Sequence, residues 1–421
     1  MTTTRPPLHL AACLDGAGGH PAAWREPDAD PAGLYSAAYW AGLAEVAEGG
    51  LLDFVTIEDS FTVQSSRADG PDGRTDRVRG RLDAALVAAR IAPLSKRIGL
   101  VPTVTTAHTE PFHVSKAIAT LDYVSAGRAG WQVQPGGLGG EAALFGRRDI
   151  PGVDPHGTAG PQSRAVITGL FDEARDHVDV VRRLWDSWED GAEIRDAPSG
   201  RFVDRKKLHH IDFEGAHFSV RGPSITPRPP QGQPVVATLA RHPIAYDFAG
   251  RAADVVFVTP DDPEQAAAML AEIRTAQEDA GRADATVHVF ADLVVFLDDD
   301  PGAAGDRKKR LDETAGSAYV PDAPVFIGTP CDLVEQLLAW QEAGLSGFRL
   351  RPGALPHDLT AVTRGLVPEL QARGAFRRGY SGGGLRGRLG LGRATNRFAV
   401  DRFGADPAQP RSTKRRETDA P

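Results

Sequence analysis

Residues 98–135 read IGLVPTVTTAHTEPFHVSKAIATLDYVSAGRAGWQVQP, and this stretch predicts a strand, a helix and a second strand in succession. The segments at 98–106 and 128–135 are short, mostly apolar and rich in β-branched or aromatic residues, as strands buried on both faces are. Between them, the apolar residues of Val114–Tyr123 recur with helical spacing. A strand–helix–strand unit is typical of α/β folds with a parallel sheet.

The same alternation extends in both directions along the chain. The other strand-like segments are LHLAACLD (8–15), LDFVTIED (52–59), VVATLA (235–240), ADVVFVTP (253–260), VHVFADLVVFL (287–297) and GFRLRPG (347–353). Further helical patterns lie at 36–49, 81–92, 171–190, 263–280 and 331–343. Eight strands, each followed by or close to a helix, predict an α/β fold of the (β/α)8 TIM barrel type rather than a doubly wound sheet. GAGGH (16–20) is the nearest approach to a dinucleotide-binding turn, and it lacks the G-x-G-x-x-G spacing.

Composition restricts the classes of function. The chain has 421 residues, 41% of them hydrophobic, which is enough for a large core. A net charge of −8 argues against a nucleic-acid binder. No apolar run approaches the roughly 20 residues of a membrane span, and MTTTRPPLHL lacks the apolar core of a signal peptide, so we expect a cytoplasmic protein without membrane partners. Cys13 and Cys331 are too few for a disulfide scaffold or a Cys-based zinc site, and we predict no metal.

Three insertions interrupt the alternation, at 60–80, 136–170 and 192–233. The first two leave the C-terminal end of a strand, where barrels build their active sites, so we expect them to shape a substrate pocket. The third has the alternating pattern of one or two β-hairpins and ends in a proline-rich turn. We expect one barrel domain over 8–376 and a partly flexible C-terminal extension over 377–421.

Polar side chains follow three neighbouring strands at their C-terminal ends. They are Asp59 and Ser60 after the second strand, Thr105, Thr106 and His108 after the third, and Gln132 and Gln134 in the fourth. In a barrel these groups converge on one rim, where hydroxyls, amides and one carboxylate suit the edge of a heterocycle better than they suit a metal. An equal alternative is that Asp59 and the threonines cap helices.

The segment 98–135 resembles the signature region of the bacterial luciferase-like flavin monooxygenases. It is most similar to the branch that contains nitrilotriacetate monooxygenase, dibenzothiophene-sulfone monooxygenase and the pristinamycin synthase subunit. Further similar segments, in the same order as in that branch, are GGHPAAWREPDAD (18–30), LDFVTIEDS (52–60), VVRRLWDSWED (180–190), RFVDRKKLHHIDFEGAHFSVRGPSITPRPPQGQPVV (201–236), VFIGTP (325–330), GLVPELQARGAFRRGY (365–380) and LRGRLGLGRATNRFA (385–399). The resemblance covers about residues 8–400.

This resemblance implies a barrel that binds reduced FMN supplied by a separate NAD(P)H-dependent flavin reductase. Molecular oxygen would add to the reduced ring to give a flavin C4a-(hydro)peroxide, which oxygenates a small organic substrate. The implied neighbours of the ring are Asp59, Thr105 or Thr106, Trp131 and Gln132. A homodimer or homotetramer is also implied, with RLGLGRATNRF (388–398) at its interface.

Two strand ends depart from the family pattern. The family's W-N-V-V-T-S corresponds to Trp131–Gly136, so that Gln132 keeps an amide on a longer side chain. The family's Ser-Thr-Thr-Tyr corresponds to Thr105–His108, so that an imidazole replaces a phenol. His108 is therefore a candidate catalytic acid/base group or substrate contact, because its pKa could lie near neutrality; alternatively it only fills the space of the phenol.

The flavin-facing tyrosine and the phosphate loop of the family also differ. In the family, a histidine and a tyrosine before the fourth helix contact the flavin. The tyrosine corresponds to Phe171, which lacks the hydroxyl. His156 could replace the histidine only if its loop folds inward. The phosphate loop Gln-Ala-Gly-x-Ser corresponds to Thr238–Pro243. Arg241, with His242 beside it, is a candidate ligand of the FMN phosphate; alternatively Arg241 pairs with a surface carboxylate.

Three functions therefore follow from the sequence. The first is a two-component monooxygenase that uses reduced FMN and molecular oxygen. The second is a flavin-binding paralogue that has lost catalysis, which the altered ring contacts favour. The third is an oxidoreductase of the same barrel family that uses the deazaflavin F420. The motifs match the FMN branch better than the F420 enzymes.

Overall fold

A closed barrel of eight parallel strands forms the centre of the chain. The computed structural model describes residues 6–65, 67, 72–136, 139–148, 150 and 160–400. The barrel strands are β1 (His9–Leu14), β2 (Phe54–Ile57), β3 (Gly99–Thr105), β4 (Gly130–Gln134), β5 (Val235–Leu239), β6 (Val255–Val258), β7 (His288–Leu297) and β8 (Gly347–Pro352). Each pairs in parallel with the next in chain order, and the pairing of β8 with β1 closes the ring. The predicted (β/α)8 barrel and all eight predicted strands are confirmed.

Helices surround the barrel. They are α1 (Ala37–Gly49), α2 (Ala84–Ile91), α3 (Pro111–Val124), α4 (Gly139–Phe145), α5 (Pro161–Asp186), α6 (Pro243–Ala252), α7 (Pro263–Asp279), α8 (Pro301–Ala315), α9 (Pro330–Glu342), α10 (His357–Ala361), α11 (Val367–Ala372), α12 (Leu385–Arg388) and α13 (Arg397–Val400). A π-helical turn (Val362–Leu366) joins α10 to α11, and short 3-10 turns lie at Ala23–Arg25, Ala92–Leu94 and Arg205–Lys207.

Four outer helices start with the same local signal, a polar cap followed by proline. The capping side chains His242, Asp262, Asp300 and Thr329 each accept a hydrogen bond from the backbone N–H three residues later, at 2.8 to 3.3 Å. Proline at the next position has no N–H to leave unsatisfied and already has a helical φ. These caps fix where α6, α7, α8 and α9 begin.

Some elements were not predicted. Helix α5 begins at Pro161, ten residues before the expected start and inside the second predicted insertion. Helix α8 was missed because PGAAGDRKKRLDETA is mostly polar, and its buried residues are only Ala304, Arg307, Leu311 and Ala315. A ninth parallel strand, Val325–Gly328, pairs with the second half of β7 outside the ring. Helix α6 was missed as well.

The third insertion contains the expected hairpins. Glu193–Asp196 pairs antiparallel with Arg201–Val203, and Phe213–Glu214 pairs with Ser219–Val220. These two short sheets lie outside the barrel ring.

The inside of the barrel is layered. Because side chains alternate along a strand, every second residue faces the lumen. The N-terminal end of the lumen is apolar, with Phe54, Phe257 and Phe290 in one cluster, which Leu385 and Leu389 close from below. Further toward the C-terminal end, polar and charged side chains take their place, and the candidate site lies above them.

Candidate active site

A cavity of about 720 Å³ opens at the C-terminal mouth of the barrel. Its walls come from the ends of β1, β2, β4, β5 and β8, from the loop after β2, and from α5. Its volume lies within the usual range for small-molecule and cofactor sites, about 300 to 1,000 Å³. The mouth formed by the strand ends is the position where (β/α)8 barrels carry active sites.

A buried ion pair supports the floor of this cavity. Arg349 on β8 binds Asp292 on β7 through Nε at 2.6 Å and Nη2 at 2.8 Å, and the guanidinium lies 4.1 Å from the ring centroid of Phe257. Asp292 is 0% exposed and Arg349 is 2% exposed. Burial raises the pKa of Asp292, but the two guanidiniums of Arg349 and Arg351 outweigh it and hold that pKa below its usual range. The pair is therefore ionised, and it fixes the direction of the arginine.

The remaining nitrogen of Arg349 reaches the residues that form the floor. Nη1 donates to Gln132 Oε1 at 2.7 Å and to Glu58 Oε1 at 3.0 Å. Gln132 Nε2 in turn lies 3.2 Å from each oxygen of Glu58. Gln132 was predicted from the sequence and lines the cavity, but Glu58 and Arg349 were not predicted.

A second charged cluster lies higher on the wall. Asp322, in the loop after α8, bridges Arg241 at 2.6 Å and Arg351 at 2.7 Å. Burial raises the pKa of Asp322, but the attraction of both guanidiniums dominates and holds it well below its usual range. Arg241 thus lines the cavity, and it pairs with a partly exposed carboxylate of the chain, which is the alternative considered for it from the sequence.

Asp59 lines the cavity but is engaged elsewhere. Its Oδ2 accepts a hydrogen bond from the N–H of Ala84 at 2.9 Å, and its Oδ1 accepts one from Ser60 at 2.7 Å. Ala84 is the first residue of α2. The carboxylate therefore helps to cap this helix, which is the second of the two roles considered from the sequence.

The two predicted threonines are almost fully buried. Thr105 and Thr106 are 3% and 1% exposed, and neither lines the cavity. The hydroxyl of Thr106 donates to the carbonyl of Gln134 at 3.4 Å. The geometry places no flavin-facing group at either position.

Trp131 points away from the site. It is 0% exposed, its indole N–H donates to the carbonyl of Val104, and its ring packs beside His177 of α5. Gln132 faces the lumen, and adjacent residues of a strand face opposite sides. Trp131 therefore belongs to the layer between barrel and helices, which is a correction to its predicted place beside the flavin ring.

His108 also lies outside the cavity lining. Its ring stacks on Phe145 with centroids 4.7 Å apart and meets Phe61 edge to face. Burial, and then the charge of Arg148, lower the pKa of His108 from its ordinary value. The structure thus supports the space-filling role for His108 rather than that of an acid/base group.

His242 and Phe171 lie together on the wall of the cavity. Their rings meet edge to face at 5.4 Å. The Nδ1 atom of His242 accepts the capping hydrogen bond of α6, so the predicted cofactor ligand is at the same time the start of a helix. His156 lies outside the described residues.

The missed charged residues carried a sequence signal. Asp292 interrupts the apolar segment VHVFADLVVFL, and Arg349 and Arg351 occupy alternate positions of GFRLRPG. Charges in strands buried on both faces are rare unless they are paired, so opposite charges in two such strands indicate an ion pair between them. Among the described residues, we find no group of three or more His, Cys, Asp or Glu that could hold a metal ion.

Known proteins resemble this chain over most of its length. A family model described as luciferase-like monooxygenase matches residues 19–312. N-acetyl-S-(2-succino)cysteine monooxygenase of Bacillus subtilis (strain 168) is 28% identical, over 95% of this chain and 100% of that protein. Nitrilotriacetate monooxygenase component A of Aminobacter aminovorans is 29% identical, over 93% and 98%.

Solved structures agree with these matches. A riboflavin lyase, crystallised with modified FMN and riboflavin, is 26% identical with a TM-score of 0.78, covering 91% of this chain and 96% of that one. A long-chain alkane monooxygenase superposes with a TM-score of 0.81 over 92% and 96%; at 23% identity it shows the shared fold alone.

Proposed function

Because the chain belongs to the luciferase-like monooxygenase family and is an enzyme of that class, we propose that it oxygenates a small organic substrate with reduced FMN and molecular oxygen. The observation that carries this proposal is the cavity at the C-terminal mouth, with its polar floor and its cationic wall. Bound reduced FMN supplies the electrons that activate oxygen. The chain's own residues bind the flavin, orient it and exclude water.

The residues of the cavity fit a flavin ring. Its floor offers the Glu58 carboxylate and the Gln132 amide for the polar edge of a heterocycle. Its walls include Leu170, Phe171 and Leu239, which suit the flat apolar faces. A few polar groups among apolar walls are typical of cofactor sites.

The residues of the wall also fit a phosphate. Arg241 lies two residues before α6, and helix N-termini favour anions. Its Nε atom is buried and has no hydrogen-bond partner within the described structure. A bound phosphate would supply an acceptor for this donor and would compete with Asp322 for the guanidinium.

We also propose that reduced FMN comes from a separate NAD(P)H-dependent flavin reductase. Two relatives are by name single parts of larger enzyme systems, one of nitrilotriacetate monooxygenase and one of the pristinamycin IIA synthase of Streptomyces pristinaespiralis, which supports such a division of labour. Among the described helices, we find none with the length and apolar character of a membrane span. A cytoplasmic location and a homodimer or homotetramer complete the proposal.

An anaerobic titration with reduced FMN, followed by mixing with oxygenated buffer, tests the function. We expect saturable binding, measured by the flavin absorbance, and reoxidation at a rate that differs from that of free reduced FMN. Failure to bind FMN, or reoxidation at the free rate, would contradict the proposal. Tight binding without oxygen-dependent product formation in a substrate screen would instead favour the non-catalytic paralogue.

A further inference from the structure

The two oxygens of the Glu58 carboxylate differ in their number of polar contacts. Oε1 is contacted by Arg349 Nη1 at 3.0 Å, Gln132 Nε2 at 3.2 Å, Thr56 Oγ1 at 3.3 Å and Cys13 Sγ at 3.4 Å. Among the described residues, Oε2 is contacted by Gln132 Nε2 alone, at 3.2 Å. The Glu58 side chain is 22% exposed and lines the cavity. A carboxylate oxygen can accept two hydrogen bonds, so Oε2 retains capacity for a ligand.

The direction of the neighbouring amide is dictated by the buried ion pair. Asp292 holds Arg349 through two parallel hydrogen bonds, so Nη1 must point at Gln132. Since a guanidinium can only donate, Gln132 must turn its oxygen toward Arg349 and its NH2 group toward Glu58. The NH2 group carries two hydrogens, and Glu58 is its only partner in the described structure. Both oxygens of Glu58 lie on the same side of Nε2, so they share one of its hydrogens, and the other N–H remains for a ligand.

Fold stability alone does not explain the buried pair of Asp292 and Arg349. Burying an ion pair rarely stabilises a fold more than apolar residues of the same volume would. Here the pair holds the orientation of two neighbouring groups on residues that line the cavity, an acceptor at Glu58 Oε2 and a donor at Gln132 Nε2. An adjacent acceptor and donor match a ligand edge with an N–H beside a carbonyl.

We infer that Glu58 and Gln132 bind the imide edge of the flavin ring, with the ring N3–H donating to Glu58 Oε2 and an adjacent ring carbonyl accepting from Gln132 Nε2. Asp292 and Arg349 act as positioning residues for this pair. The inference rests on the proposed function and deepens it. It assigns to Glu58 the role that the sequence had suggested for its neighbour Asp59, whose two oxygens each accept a backbone N–H of the chain and so hold the start of α2.

Binding of oxidised FMN and of N3-methyl-FMN tests the assignment. The methyl group removes the N3–H donor, so we expect the wild-type protein to bind FMN at least tenfold more tightly, which corresponds to about 1.4 kcal/mol. In Glu58→Gln the amide oxygen stays on the side of Arg349, which places NH2 where Oε2 was. FMN should then lose at least tenfold in affinity, and the preference over N3-methyl-FMN should fall to within about twofold.

Two further variants separate anchoring from structure. Asp292→Asn should lower the same preference, whereas general damage to the site would weaken both flavins alike. Asp15→Asn is the matched control: it neutralises another carboxylate of the cavity, one that pairs with Arg81, and it should leave the preference unchanged.

The outcomes are distinct. If the wild-type protein binds both flavins with equal affinity, or if Glu58→Gln keeps the tenfold preference, the assignment is overturned while the proposed function stands. If the wild-type protein binds neither flavin, the proposed function fails and the assignment fails with it.

Discussion

Arg241 is the proposed ligand of the FMN phosphate. Its guanidinium contacts Asp322 through Nη1, and its Nε atom is buried without a partner in the described structure. A phosphate would satisfy both nitrogens, whereas riboflavin has no phosphate.

Replacement of Arg241 should discriminate between two flavins. Arg241→Ala is expected to weaken FMN at least tenfold, because a hydrogen bond to a charged group contributes about 1.5 to 3 kcal/mol. Riboflavin affinity should change less than about twofold, because riboflavin has no phosphate for Arg241 to contact. Fluorescence titration measures both. Arg251→Ala on α6, the helix that follows Arg241, serves as control, because Arg251 pairs with Asp247. Equal losses for the two flavins would place Arg241 outside the phosphate site.

Asp59 should behave as a structural residue. Asp59→Ala is expected to lower the free energy of unfolding by about 1 kcal/mol, the usual cost of losing a helix cap, and to leave FMN affinity nearly unchanged. Urea denaturation and flavin titration report the two quantities. Asp83→Ala, which removes the N-cap of the same helix, should cost a similar amount. A large loss of flavin affinity without loss of stability would restore Asp59 as a ring contact.

His177 should make stability depend on pH. Burial lowers its pKa to about 3, and neither ring nitrogen has a hydrogen-bond partner within the described structure. Below about pH 6.5 the unfolded chain therefore binds a proton that the folded chain excludes, and stability is lost as the pH falls.

Between pH 7.5 and pH 5 this histidine should account for about 2 kcal/mol of lost stability. His177→Phe is expected to remove that share, as denaturation curves at the two pH values would show. His217→Phe, at an exposed position, should keep the wild-type pH dependence. An unchanged dependence in His177→Phe would mean that the buried ring titrates normally.

At the scale of elements, the described part of the C-terminal extension, residues 377–400, packs against the barrel. The N–H of Leu385 donates to the carbonyl of Gly127, and Leu385 and Leu389 are 0% and 1% exposed. The carbonyl of Leu389 accepts from His288 at 2.7 Å. These leucines close the N-terminal end of the lumen of their own chain, so they are not available to a second copy of the protein.

Truncation of one of these leucines should destabilise the whole barrel. Leu385→Ala is expected to cost about 2 to 5 kcal/mol in the free energy of unfolding, as buried Leu-to-Ala changes do. Leu86→Ala, at a position that is 70% exposed, is the matched control and should cost far less. A small loss in Leu385→Ala would show that the extension is only loosely attached.

At the scale of the whole molecule, the buried pair of Asp292 and Arg349 affects both the stability of the fold and the proposed binding of FMN. Asp292→Leu alone should cost about 3 to 5 kcal/mol, because Arg349 would be left buried without its partner. The double change Asp292→Leu with Arg349→Met should recover most of that loss. It should nevertheless bind FMN weakly, since Arg349 would then no longer orient Gln132 and Glu58. Denaturation and titration of the same two variants measure both effects, and full flavin affinity in the double variant would contradict the role of the pair.

Most of the fold could be predicted from local patterns. The eight strands were recognisable as short apolar segments, and several helices were recognisable from periodicity. Helix α8 was not, because only a few of its side chains are buried and its pattern is therefore weak. The early start of α5 was hidden in a stretch rich in Gly and Pro, which resembles a loop.

The site was predicted less well than the fold. Gln132, Arg241 and His242 do line the cavity, while Trp131 faces the helices and Asp59 caps one of them. Position at a strand end shows that a residue is near the mouth of the barrel. It does not show which way the side chain points or which backbone group has already taken its hydrogen bonds.

By itself, the sequence determined the alternation of strands and helices, because this follows from periodicity along the chain. The alternation in turn indicated a barrel and the end of the barrel where the cavity lies. Only the tertiary structure decided that Glu58, Gln132, Arg349 and Asp292 form one network. These residues are separated by up to 291 positions, and closing the barrel brings four of its strands to a common lumen. Which charges meet there depends on register and on side-chain direction, and neither is encoded in any single segment.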